Sequence, residues 1–207
     1  MEKRVRKVEN LTEWVGLSCN APAVEYVSDV LDFHLNTYTT MGLFSDKLTT
    51  LDDLFHEQLK DLYSAENQLL EVLPEMAAKA KDSGLKTAFQ THLQETKNQV
   101  ARLEQIGKML DISLTGHKCK AMEGILKEGS DMIHEDATDE VKDAGLIASA
   151  QRVEHYEIAG YGTAAHYAQR VGQPEAAALL HQTLNEEQAT DTKLNNLAKS
   201  YINEKAL

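Results

Sequence analysis

The chain has 207 residues, of which 42% are hydrophobic and only 6% aromatic, and its formal net charge is −12. That acidity excludes binding to nucleic acid through the phosphate backbone, which needs clustered Lys and Arg. Two cysteines, Cys19 and Cys119, are too few for a disulfide framework or a Cys-rich metal site, and read as free thiols of a reducing, cytoplasmic compartment.

Glu9, Asn10, Thr12 and Glu13 interrupt anything resembling a signal-peptide core. No run reaches the roughly 20 apolar residues of a membrane span. The remaining composition, rich in Ala, Leu, Glu, Lys and Gln with three prolines, favours helix.

Residues 1–42 read as an N-terminal appendage, carrying the single Trp14 and a candidate short helix from Val24 to Phe33. From residue 43 to 207 the pattern is that of one helical domain. A first helix is predicted from about Thr50 to Lys79, with Leu59, Leu62, Leu69 and Leu73 on one face. Asp52 and Asp53 fall in its first turn, and Pro74 is placed to bend its last turns. Ser83-Gly84 marks a break, after which a second helix runs from about Leu85 to Leu110.

A short helix is predicted over about Lys120 to Glu135. A third long helix spans about Asp139 to Val171 and stops at Gly172-Gln173-Pro174. A fourth runs from about Pro174 to Ile202.

Connection lengths then fix the topology. The first and last links are a few residues long, so each joins an antiparallel hairpin. A helix of about 30 residues is roughly 45 Å long, and an extended chain needs roughly 14 residues to cover that distance. The middle connection exceeds this. The expectation is an all-α, ferritin-like four-helix bundle: two antiparallel hairpins joined by a long crossover that carries the short helix.

Acids interrupt all four apolar stripes. Glu66 lies on the first, Glu95 and Gln99 on the second beside His92, Glu154 and Glu157 on the third, Glu187 and Asp191 on the fourth. A buried unpaired carboxylate is costly, so this pattern demands a reason. Counting from a turn near residue 82, Glu66 lies 16 residues before it, and Glu95 and Gln99 lie 13 and 17 after. From the second turn, Glu157 and Glu187 lie 15.5 and 14.5 residues away, and Glu154 and Asp191 each 18.5. At about 1.5 Å per residue, partners fall within about 2 to 5 Å of one depth.

Six acids in one dry layer cannot all ionise without cations. Two divalent ions with bridging carboxylates would fit, and oxygen donors suit Fe(II) or Mn(II). His92 is a further candidate ligand, and no catalytic residue beyond the ligands is singled out.

The segments DLYSAENQLL (61–70), HLQETKNQVARLEQI (92–106), CKAMEGIL (119–126), AQRVEHYEIAGYGT (150–163) and TLNEEQATDTKL (183–194) together resemble the YciE/YciF family of ferritin-like bacterial stress proteins. The resemblance covers about Leu43 to Ile202. It implies a ferritin-like fold, a homodimer, a link to stress responses and a ferroxidase-type di-metal site using O₂ or H₂O₂. Carried onto this chain, it makes Glu66 the ligand of the first helix, Glu95 and Glu187 bridging ligands, and Glu154 and Glu157 an E-x-x-E pair.

The wider di-iron pattern places His three residues after the second- and fourth-helix glutamates. Asn98 and Thr190 stand there, with Gln99 and Asp191 as substitutes one residue on. Two other functions remain open: a di-manganese peroxidase or catalase, and a non-enzymatic stress protein acting through a protein partner.

Overall fold

The structure, a computed structural model, describes residues 48–207. The expected appendage over residues 1–42, with Trp14 and Cys19, lies outside them. Among the described residues there are four long helices, a 15-residue helix in the crossover, and no strand.

Helix α1 (Leu51–Lys79) opens on a capping box: Thr50 Oγ1 accepts from Asp53 N and Asp53 Oδ2 accepts from Thr50 N. The helix continues through Pro74 to its end. Helix α2 (Ser83–Leu110) starts earlier than Ser83-Gly84 suggested as a break, because Asp82 caps it, accepting from Leu85 N at 3.0 Å. Gly84 answers a close approach rather than a turn. A Cβ there would lie 3.0 Å from the Tyr201 hydroxyl and 3.3 Å from Leu197.

The crossover helix α3 (Lys120–His134) begins at Cys119, the residue in the N-cap position. Cys119 is tied down on several sides. Its N–H donates to Ser64 Oγ, its carbonyl accepts from Gln68, and its Sγ lies 3.0 Å from the Tyr156 hydroxyl. Tyr156 in turn donates to Asp61, whose other oxygen lies 3.1 Å from His117 Nε2. These contacts fasten the crossover to α1 and α4.

Helix α4 (Asp139–Arg170) is capped by Thr138, and its last turn closes through Gly172 at φ 79°, a left-handed conformation suited to glycine. Helix α5 (Pro174–Leu197) ends before Ile202, where the sequence had placed its end. A π-helical turn (Ala198–Ile202) and a last short helix α6 (Asn203–Lys205) follow. Within the wider turn, Tyr201 donates to Asp82 Oδ1 at 2.7 Å and lies under Lys205 Nζ, 4.6 Å from the ring centroid.

The four long helices form a square in which α1 packs on α2 and α4, and α5 on the same two, while α3 lies against α1 and α4. Neighbours run antiparallel. Along α2 and α5, Gly84 meets Tyr201, Glu95 meets Thr190 and Gln99 meets Glu187. Between α1 and α4, Asp143 accepts from the amides of Lys81 and Asp82, while Gly160 abuts Leu62.

The apolar core is split in two. One cluster, around Leu69, Leu73, Phe89, Leu146 and Leu194, fills the end near the α1–α2 turn. The other, around Phe55, Leu59, Leu103, Tyr161 and Leu180, fills the opposite end. The polar residues expected from the sequence lie between them. Among the described residues, no helix is long and apolar enough to cross a membrane.

Candidate metal centre

Four helices each contribute to the layer between the two apolar clusters. Glu66 comes from α1, His92, Thr96 and Gln99 from α2, Glu154 and Glu157 from α4, and Glu187 from α5; all seven are buried. Helical spacing explains the placement. Glu66 lies on the same face as Leu59, Leu62, Leu69 and Leu73, so the packing that buries those leucines buries the carboxyl too.

His92, Glu154, Glu157 and Glu187 each offer a ligand atom, and these atoms lie within 4.8 Å of one another. His92 Nε2 stands 3.2 Å from Glu154 Oε1. Glu66 closes the layer on the α1 side, where its Oε1 accepts from the Tyr161 hydroxyl at 2.5 Å. Gln99 Nε2 donates to Glu187 Oε1, also at 2.5 Å.

What remains is unpaired. Glu66 Oε2, both His92 nitrogens, Gln99 Oε1, Glu154 Oε2, both Glu157 oxygens and Glu187 Oε2 are buried without a hydrogen-bond partner. Buried polar atoms are almost always satisfied, so eight orphans in one layer mark a place built for something that binds them.

The electrostatics agree. Burial first, then repulsion among neighbouring carboxylates, pushes Glu66, Glu154 and Glu157 well above the usual glutamate range. Burial raises Glu187 as well, against the opposing charge of His92. Carboxylates so destabilised as anions gain from a nearby cation. One imidazole among several carboxylates is a donor set for a divalent transition metal. The buried His/Glu group could therefore hold a metal ion.

The remaining sequence candidates stand at the rim. Glu95 has a side chain 35% exposed, with Oε2 at 3.9 Å from His92 Nδ1. The adjacent His92 imidazole holds it below the usual carboxylate range. Thr190 donates to it at 3.5 Å. Asp191 is 23% exposed, accepts from Gln151 at 2.9 Å and lies 3.5 Å from His155 Nε2. Asn98 points outward. The imidazole of the layer stands three residues before Glu95 rather than three after.

Sequence reasoning left out the Arg102–Glu186 pair behind the layer. Arg102 forms a two-pronged pair with Glu186, and Tyr161 holds Glu66. Arg102 lies one turn beyond Gln99, and Glu186 precedes Glu187, so adjacency to the candidates was the available signal.

A profile of a family described as a domain of unknown function, DUF892, matches residues 50–207. The chain belongs to the DUF892 family. It is 44% identical over 160 residues to Protein YciF of Escherichia coli strain K12, a match spanning 77% of this chain and 96% of that protein.

The crystal structure of the E. coli stress protein YciF superposes with a TM-score of 0.73, covering 76% of this chain and 99% of that one. YcfI from Rhodopseudomonas palustris, 41% identical, gives a TM-score of 0.70 over 73% of this chain and 97% of its own. A two-domain protein from Anabaena variabilis, with DJ-1/ThiJ/PfpI-like and ferritin-like domains, gives 0.50 at 16% identity, covering 86% of this chain and 49% of that one. That last likeness bears on fold alone. Together with the two hairpins and long crossover, it gives this bundle a ferritin-like fold.

Proposed function

We propose that this chain is a stress-associated ferritin-like protein that takes two Fe(II) ions into its buried layer and oxidises them with O₂ or H₂O₂. The observation that carries the reading is the set of seven unpartnered buried His and Glu donor atoms gathered between two apolar clusters. The description of its E. coli relative YciF as a stress protein supports the physiological setting.

In this reading His92, Glu154, Glu157 and Glu187 would hold one ion, and Glu66 together with Glu157 would serve a second. With peroxide, two Fe(II) and two protons yield two Fe(III) and two waters. Tyr161 orients Glu66 by occupying one of its oxygens. The buried carboxyls, raised above their ordinary range by burial, hold protons more tightly than free glutamates, so cation binding would release protons. Glu95 and Asp191, partly exposed at the rim, present negative charge to arriving cations. The apolar clusters on either side keep bulk water from the layer.

The chain is further proposed to work in the cytoplasm as a homodimer, which sedimentation of the purified protein tests directly. Anaerobic Fe(II) titration followed by an oxidant pulse tests the main reading. Two irons per chain, oxidised faster than in buffer, are expected; stoichiometric binding without faster oxidation would refute the oxidase step. A donor set with one imidazole among carboxylates also favours Mn(II). Preferential retention of manganese, with peroxide consumption, would select that second reading.

A further inference from the structure

Gln99 brings no charge to the layer, yet it is fully buried there and its amide is spoken for on one side only. Its Nε2 donates to Glu187 Oε1 at 2.5 Å and to Glu186 Oε2 at 3.2 Å. With carboxylates in both directions, only the NH₂ end of the amide can face them, so charge sets its orientation.

Glu186 is itself immobilised. Arg102 Nη1 and Nη2 reach its two oxygens at 2.9 Å each, and Nη1 also reaches Thr183 Oγ1 at 2.5 Å. Such a planar fork fixes a carboxylate in orientation as well as in position. The Arg102 side chain is 11% exposed and that of Glu186 25%, so the clamp sits just inside the surface of the α2–α5 seam. The links run without interruption from Arg102 through Glu186 and Gln99 to Glu187, ending at Glu187 Oε2, which has no partner.

We propose that the Arg102–Glu186 fork and Gln99 are a positioning device that holds Glu187 Oε1 and so presents Oε2 alone to the bound cation. Gln99 acts in this through Glu187 and not as a ligand. The proposal rests on the reading of the layer as a metal centre. It parallels Tyr161 on the other side of the site, which occupies one oxygen of Glu66 in the same manner. Glu157, with both oxygens unpartnered, is left as the carboxylate free to use two.

The test is Co(II) binding, read by affinity and by the visible ligand-field spectrum, in the full-length protein and in Glu186→Gln, Gln99→Leu and the double variant. Groups that orient ligands typically contribute about 10- to 100-fold in metal affinity. Each single variant should therefore weaken Co(II) binding at least about tenfold and change the spectrum in the same way. The double variant should be no worse than the poorer single, because both remove one device. Arg102→Lys, which keeps the charge and loses the fork, should show the same spectral change in milder form.

If Gln99→Leu alters the spectrum and Glu186→Gln does not, Gln99 is a ligand and the proposal is overturned. Wild-type affinity and spectrum in both folded variants would overturn it as well. Absence of Co(II) binding by the wild-type protein would instead remove the metal-centre reading, and the proposal with it.

Discussion

The hydroxyl of Tyr161 on α4 donates to Glu66 Oε1 on α1 across a seam where both side chains are fully buried. One oxygen of Glu66 is thereby satisfied while Oε2 has no partner. Tyr161→Phe keeps the ring and removes only the donor, leaving both oxygens unpaired. Metal-free protein should lose about 1–3 kcal/mol in urea unfolding. A loss below about 0.5 kcal/mol would show that Oε1 finds another donor at once.

The pH dependence of the metal-free protein follows from the raised carboxyls. Glu66, Glu154 and Glu157 sit well above the 4.5 usual for glutamate, chiefly through burial. Between the unfolded and folded values the native chain therefore holds more protons than the unfolded one. Stability falls with rising pH wherever that is so. The contribution of this layer is full below about pH 4.5 and is lost as pH climbs through the raised folded values. Thermal unfolding from pH 5 to 8 should show a falling midpoint without metal and a flatter course with Co(II) or Fe(II) bound. Identical slopes with and without metal would contradict it.

Glu157→Gln isolates one of those charges, since both Glu157 oxygens lack partners. The amide nearly preserves volume and cannot ionise. At pH 8 the metal-free variant should match or exceed the wild type, by up to about 3 kcal/mol. Its metal affinity should drop at least about tenfold, because it loses an anionic donor. Parallel urea unfolding and metal titration check both halves. A variant less stable and equally avid for metal would place Glu157 outside the site.

Asp143 tests the frame instead of the chemistry. It is 4% exposed and accepts from the amides of Lys81 and Asp82 at 2.9 and 2.7 Å, tying the α1–α2 turn to α4. Asp143→Ala should cost about 2–4 kcal/mol and speed hydrogen exchange at those two amides first. Unchanged exchange there would mean that the turn is held by other contacts.

The four helices were legible because each repeats an apolar face for many turns, and connection length alone separated a ferritin-like path from a simple up-and-down bundle. Glu66, Glu154, Glu157 and Glu187 stood out because a carboxylate in a leucine stripe violates the pattern around it. Helix edges read less well. Gly84 resembled a break, and only its contact with Tyr201, more than a hundred residues away, explains it. Helix period also assigns a face without resolving its edge, so Glu95 and Asp191 looked equivalent to Glu187 although the fold leaves them partly in solvent. The Arg102–Glu186 clamp was harder to read, because the pair forms only between two helices and its one signal was that each residue lies near a candidate ligand.

The division of the hydrophobic core into two separate masses has a consequence for how such proteins diversify. Each mass binds all four long helices on its own side of the polar layer. The bundle is in effect spliced at both ends, so its middle should tolerate changes that a continuous core would punish. Replacing every donor there with well-packed aliphatic residues should leave a bundle that still folds. Relatives with this outline can thus have kept, altered or abandoned the chemistry without any visible change of shape. For a new member the residues at the waist, and not the overall superposition, carry the information about activity.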